Sequence, residues 1–593
     1  MTGTDQGQAR RAAELARPGA AVRAAELARL GRTVVRLRPG QAAHRARLRA
    51  QRAGLARFPG AAARLLPGPD PSAAAGWPGA FRPLDALTPA RWPSGPELRA
   101  GKIILLGVTR PLEDGWRHAG APRLWRFHLH YWDWAWGLAL PAGGPGEPAG
   151  RAVFARLWRS WQAAAGAGYR DGDAWHPFPA ALRAWSWCGQ HRDLVAGSDL
   201  EPAFTAALAD CAGFLRRHLE YDVGGNHLVK GLKAVTGLAI FFADERLLRQ
   251  ALRRLTRQVR HQILDDGGHF EHAPAYHCQV LADLTDVAGL LRATGREPPA
   301  ELTAAIDAMR GWLGAVLTPD GRVPPLNDGY PVDRGLLAAL RPAPAPEEPL
   351  TVLPDTGLVR MTAGGWHLLA DVGAPCPRSL PAHAHADTFG CLVFVDGCPL
   401  LADTGTSTYE AGPVRGYERS TAAHSTVQVD GTDSTEVWGT FRAGRRARVS
   451  GLAAEASRVG IRCEAVHDGF RHLPGRPRHR RRWTLTRDGL LVEDAVTGRG
   501  RHEVILRWQL APGSSVRIDG DTARIGGPAG AFAATVTANV PVLLAAMSRP
   551  VAAGFGVTAD APALIARADT VLPVLITTTW GRASGPDTGT EGS

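Results

Sequence analysis

The hydrophobic period changes once along this chain, and that change constrains the fold more than any other feature. From Trp125 to about Leu340, apolar residues recur at helical spacing, as in "LEPAFTAALADCAGFLRRHLEY" and "TAAIDAMRGWLGAVL". After the Pro-rich "LRPAPAPEEPL" (Leu340 to Leu350), which reads as a linker, short β-branched runs such as "FGCLVFVDGCPLLADTG" and "RRRWTLTRDGLLVEDAVTG" are punctuated by DG and GG turns. That is the signature of antiparallel hairpins. At 593 residues the chain exceeds the roughly 250–300 at which single cores stop growing, so each half can bury a core of its own. The order predicts a helical half followed by a β-sandwich.

Ahead of both lies an Arg/Ala-rich segment, residues 1–57, in which "RAAELAR" occurs twice (Arg11 to Arg17, Arg23 to Arg29). It reads as a solvated helical leader. Pro and Gly density between Phe58 and Pro96 breaks regular structure. The predicted domains are therefore the leader at 1–57, a helical domain at 58–340 and a β domain at 351–585.

Hydrophobic residues make up 45% and charged residues 21%, which excludes a disordered or fibrous chain. The net charge is +13, carried almost wholly by arginine, since only Lys102, Lys230 and Lys233 are lysines. A basic surface attracts acidic partners. No run of about 18 apolar residues predicts a membrane span, and the arginines of the N-terminus precede no apolar signal core. The seven cysteines show no CxxC pairing, so neither a disulfide framework nor a thiolate metal site is expected. These features predict a cytoplasmic protein, with the cell envelope or periplasm as the alternative.

Four stretches concentrate chemistry-bearing side chains. "GGNHLVKGLKA" places Asn226 and His227 at a helix start with Lys230 and Lys233 behind them; by itself the pair also reads as a cap and a surface histidine. "DDGGHFEHAPAYHCQVLADL" gathers Glu271, Tyr276 and His277 at a turn. "HAHADTFGCLVFVDGCPLLADTGTSTY" (His383 to Tyr409) and "RSTAAHSTVQVDG" bring His385, Asp403 and His424 onto neighbouring strands, donors that suit zinc or are simply satisfied in turns. Tryptophans cluster in "LWRFHLHYWDWAW" and "WHPFPAALRAWSW", including Trp132 and Trp175, as core or as stacking platforms for sugar rings.

With "NHLVKGLKA", "DGGHFEHAPAYH" and "WGTFRAGRRA", these stretches resemble, in order, the heparinase II/III-like family of polysaccharide lyases, from about Gln41 to Gly498. "RLRPGQAAHRARLR" is similar to the leader of members found with bacterial polysaccharide biosynthesis genes. The resemblance implies an N-terminal incomplete (α/α) toroid, a C-terminal antiparallel β-sandwich and a cleft between them. It implies β-elimination on a uronic-acid polysaccharide, by removal of the C5 proton and loss of the C4 oxygen. Asn226 and His227 would stabilise the developing charge on the carboxylate, and Tyr276 would serve as base, acid or both. Lys230, Lys233, His227 and His383 would supply a positive field, His383 would be the alternative base, and Lys230, Glu271, Trp132 and Trp175 would line the substrate site. His385, Asp403 and His424 match positions of a structural Zn2+. The expected partner is an acidic polysaccharide, such as a bacterial capsule or exopolysaccharide, with no nucleic acid and no oligomeric state specified. Two other classes stay open: a polysaccharide-binding scaffold without turnover, and a zinc-dependent hydrolase.

Overall fold

The computed structural model describes residues 20–58, 66–87, 95–112, 115–140, 148–166 and 172–583. The first "RAAELAR" copy therefore lies outside the described residues. The leader forms two helices, α1 (Ala20–Val34) and α2 (Pro39–Arg57). The helical domain then stacks α3 (Pro148–Trp161), α4 (Pro177–Leu194), α5 (Glu201–His218), α6 (Gly225–Phe241), α7 (Glu245–Gln262), α8 (Pro274–Ala293) and α9 (Ala300–Val316). Short connections between consecutive helices make neighbours antiparallel. Each helix begins where the sequence allows: Pro177, Pro202 and Pro274 occupy first-turn positions, where their missing N–H costs nothing, and Asp244 caps Leu247 N–H.

The β half builds three large sheets and, in the chain between Val429 and Val449, a two-stranded ladder of Val437–Trp438 with Arg442–Ala443. The first runs in sequence order through β1 (Leu350–Leu353), β2 (Leu358–Ala363), β3 (Trp366–Asp371), β4 (Cys391–Val395) and β5 (Cys398–Leu401). Next in the chain come β6 (Val427–Val429), β7 (Val449–Ser457), β8 (Gly460–His467), β9 (Arg478–Leu485), β10 (Gly489–Thr497) and β11 (Arg501–Gln509). The last strands are β12 (Ser515–Asp519), β13 (Thr522–Gly527), β14 (Gly530–Ala538), β15 (Leu543–Gly554), β16 (Val557–Val571) and β17 (Val574–Arg582). An eight-stranded sheet has the order β7-β8-β9-β10-β17-β14-β13-β12, and a four-stranded sheet β15-β16-β11-β6. All pairings are antiparallel, and one core containing Trp366, Trp483, Trp508 and Trp580 fills the space between the sheets.

β3 and β4 are buried at every residue. One face meets the sandwich core. The other, through Leu369, Leu392 and Phe394, packs on Trp312 and Val316 of α9, joining the two domains by an apolar contact. This explains why "CLVFV" lacks the alternation expected of a half-exposed strand.

The leader departs from the solvated arm expected. Arg32 of α1 donates to both carboxylate oxygens of Glu436 in the β domain (2.6 and 2.9 Å), and Trp438 Nε1 donates to Thr33 Oγ1 (3.2 Å). In α2, Gln41 donates to Asp222 O of the helical domain and Ser379 O of the β domain (3.3 and 3.4 Å), while His44 stacks on Tyr221. Docking wins because these polar groups find partners on both domains.

Candidate active site

The start of α6 is shaped by two glycines. Gly224 and Gly225 both hold positive φ, and a Cβ on Gly225 would fall 1.9 Å from Glu271 Oε1. Only glycine permits both the turn and the approach. The carboxylate of Glu271 thereby reaches Asn226, accepting from its backbone N–H (2.7 Å) and from Nδ2 (2.9 and 3.2 Å). Asn226 Oδ1 remains buried without a partner. His227, the next residue, leans on Phe178, pairs Nδ1 with Glu220 Oε2 at 3.0 Å and keeps 31% of its side chain exposed.

From the β domain, His383 places Nε2 2.8 Å from Glu271 Oε2 and Nδ1 3.0 Å from Asp328 Oδ2. Burial opposes its charge, but the hydrogen bonds and charges of these two carboxylates outweigh burial and lift its pKa to about 9. Glu271 is correspondingly held at about 2, burial being overcome chiefly by His383 and by the Asn226 N–H. Asp328 also takes Arg415, at 2.5 and 2.9 Å, and stays well below the usual carboxylate range despite its burial. His383 is thus an imidazolium clamped by two anions. Both ring nitrogens are engaged by carboxylates, so a role as the alternative base would require one of these contacts to open.

The clamped imidazolium stacks on Tyr276, ring centres 3.8 Å apart. Tyr276 OH meets Tyr409 OH at 2.7 Å. Tyr409 sits beside Phe441 and Phe555 with the Arg415 guanidinium 5.1 Å from its ring. Burial, followed by the other tyrosines and Asp328, raises the pKa of Tyr276 well above 10, and Tyr409 is raised likewise. At neutral pH both hydroxyls keep their protons.

Other expected site residues lie elsewhere in the structure. Lys230 and Lys233 bind Asp283, and Lys233 also binds Asp286, so their charge is spent inside the helical domain and not on Tyr276. Trp132 is wholly buried among Trp116, Trp134, Trp161 and Trp187, and Trp175 is 5% exposed with Nε1 donating to Ala165 O. Neither can stack on a sugar; the apolar interior claimed them. Glu271 faces Asn226 and His383, which makes it a positioning group. Asp328, Tyr409, Arg415 and Glu220 were not anticipated. Tyr409 closes the very stretch that His383 opens, while Asp328 lies in "LNDGYP", whose DG reads as a turn.

His385 and His424 lie side by side, ring centres 5.4 Å apart. His385 Nε2 pairs with Asp328 Oδ1 at 2.9 Å and His424 Nδ1 with Asp403 Oδ2 at 2.7 Å. His385 Nδ1, His424 Nε2 and both carboxylate oxygens of Asp387 are buried without partners. Burial, with Asp403 nearby, lifts Asp387 to about 6. Among the described residues, no three His, Cys, Asp or Glu side chains converge as a metal-holding group in this arrangement. The orphaned imidazole nitrogens, each on a ring whose other nitrogen is fixed by a carboxylate, are nevertheless donors of the type zinc takes.

The helical toroid and the antiparallel β-sandwich, which meet at the tyrosine pair and His383, make a heparinase III-like fold. A family model for the heparinase II/III N-terminus matches residues 125–342, and one for the heparinase II/III-like C-terminal region matches residues 345–560. The chain belongs to the heparinase II/III-like family. The crystal structure of heparinase III superposes with a TM-score of 0.69 at 16% identity, covering 84% of each chain. A heparan sulfate lyase HepC mutant from Pedobacter heparinus gives 0.61 at 16% identity over 92% of this chain and 89% of that one. FtsZ-localized protein C of Caulobacter vibrioides is 28% identical over 439 residues, 70% of this chain and 72% of that protein.

Proposed function

We propose that this protein is a polysaccharide lyase that cleaves a uronic-acid polysaccharide, such as a bacterial capsule or exopolysaccharide, by β-elimination. The observation that carries the reading is the Tyr276–Tyr409 hydroxyl pair at 2.7 Å, stacked under the His383 imidazolium. Elimination must take a proton from C5 and deliver one to the departing C4 oxygen. A phenol that keeps its proton is suited to the delivery, and an adjacent cation stabilises the phenolate left behind. That phenolate takes the C5 proton of the same substrate, so the pair ends the turnover with the protons it began with, and Tyr409 shares the transient charge through its hydroxyl. His227, through its free Nε2, binds the substrate carboxylate, and Asn226 Oδ1 accepts from that group once it is protonated, offsetting the charge that develops beside C5.

A structural zinc would be held by His385 through Nδ1 and His424 through Nε2, with Asp403 or the unpartnered Asp387 supplying oxygen. It would brace the loop that carries His383. Metal analysis of the purified protein tests this, and chelation should lower the thermal midpoint if the ion is present.

The deciding experiment follows the ultraviolet absorbance of the unsaturated uronate during incubation with a panel of uronic-acid polysaccharides. Intact protein should produce a rise that Tyr276→Phe abolishes at unchanged thermal midpoint. A second reading is a polysaccharide-binding protein without turnover. Binding to the panel with no unsaturated product from the intact protein would favour it.

A further inference from the structure

α7 carries a charge pattern that the proposed reaction leaves unused. Its sequence, ERLLRQALRRLTRQVRHQ, buries Leu247, Leu248, Ala251, Leu255 and Val259 against the helical domain. The opposite face is left to arginine: Arg246, Arg249, Arg253, Arg254, Arg257 and Arg260 are all exposed. Among the described residues, only Arg260 of these has an acidic partner, Glu301, and the one acid of the helix, Glu245, is taken by Arg296. Arg249, Arg253 and Arg257 stand at i, i+4 spacing, where like charges repel. In the β domain an exposed arginine such as Arg567 is instead matched by Glu503. The α7 row is an uncompensated line of positive charge.

The row also has a shape and a direction. Arg249, Arg253, Arg257 and Arg260 line a shallow groove of about 600 Å³ floored by Leu252 and Pro299. At 1.5 Å per residue the four guanidinium stems span about 16 Å along the helix, the length of several sugar residues. α6 leaves the cleft at Asn226, and α7 returns antiparallel to it. Its last residue, Gln262, accepts from Phe270 N–H at 2.8 Å and pairs its side chain with His269, immediately before Glu271. The arginine line therefore leads toward the reacting groups.

We propose that the arginine face of α7 is an accessory binding site for the anionic polysaccharide, holding a stretch of the polymer outside the cleft while another stretch is cut. The choice of occupant rests on the lyase reading above. Guanidinium forks suit carboxylates, and the groove residues include no aromatic ring on which a nucleic-acid base could stack.

The test uses Tyr276→Phe protein, in which binding is read apart from turnover, with alginate and its tetrasaccharide as probes. Adding Arg249→Gln, Arg253→Gln and Arg257→Gln, all exposed positions, should weaken alginate binding by about tenfold or more and flatten its salt dependence. Tetrasaccharide affinity should hold. Equal alginate affinity with and without the three substitutions, an equal loss for both probes, or no alginate binding at all would overturn the proposal. Tighter binding of duplex DNA than of alginate through the same arginines would overturn the assigned occupant. If intact protein yields no unsaturated product yet the three substitutions still release alginate, the lyase reading fails and the accessory site stands.

Discussion

At the scale of single residues, His383 is held between Glu271 from the helical domain and Asp328 from the turn before the linker, and each carboxylate has its own supporting contacts. Glu271→Ala would leave the Asn226 N–H groups unpaired and the imidazolium with one anion fewer, a loss of roughly 3–5 kcal/mol of the kind seen when a buried pair is broken; urea unfolding measures it. Tyr409→Phe removes one hydroxyl from the pair while keeping the ring between Phe441 and Phe555. It should lower kcat by about 100-fold, the scale of one proton-transfer group, at nearly unchanged KM. An unchanged kcat would remove Tyr409 from the proton path. That Asn226, Tyr276 and His383 gather around Glu271 was legible in so far as each stands in a motif dense in polar residues. Asp328 and Arg415 were not, since a carboxylate in a DG turn and an arginine in an Arg-rich chain look ordinary until the fold brings them together.

Individual elements show a different limit. The change from helical period to β alternation was legible at Leu340 to Leu350 because side-chain periodicity is local. What each face meets is not local: Lys230 and Lys233 share a face of α6, yet only packing against α8 shows that Asp283 and Asp286 take their charge. Asp283→Asn should therefore destabilise the helical domain by roughly 3–5 kcal/mol while leaving the tyrosine pair in place. The same interior holds histidines that burial keeps neutral. His130 and His277 are pushed down to about 3 and His269 to about 4. The unfolded chain, with histidine near 6.5, binds protons before these folded sites do, so the contribution of these three histidines to stability is complete above about pH 6.5 and falls as pH drops toward 3, whereas that of His383 is complete below 6.5 and is lost as pH rises toward 9. Chemical denaturation at a series of pH values should show this slope, weakened when His277 is replaced by Gln.

At the scale of the whole molecule, the two cores share a boundary at α9 and the first sheet, and the leader crosses from one to the other. Among the described residues no helix is long and apolar enough to cross a membrane. The toroid and sandwich were legible in outline, whereas the docking of α1 and α2 was not, because an Arg/Ala helix carries no pattern that names its acceptors. Its contacts there, Glu436 and Trp438 on one side and Asp222 and Tyr221 on the other, make the leader a staple with a calorimetric consequence. Two separately cored domains ordinarily melt apart; stapled ones share their unfolding free energy and melt together. The full chain should give a single endotherm, and removal of residues 1–38 should divide it in two. A truncated chain that still melted in one step would assign the coupling to the apolar contact around Trp312.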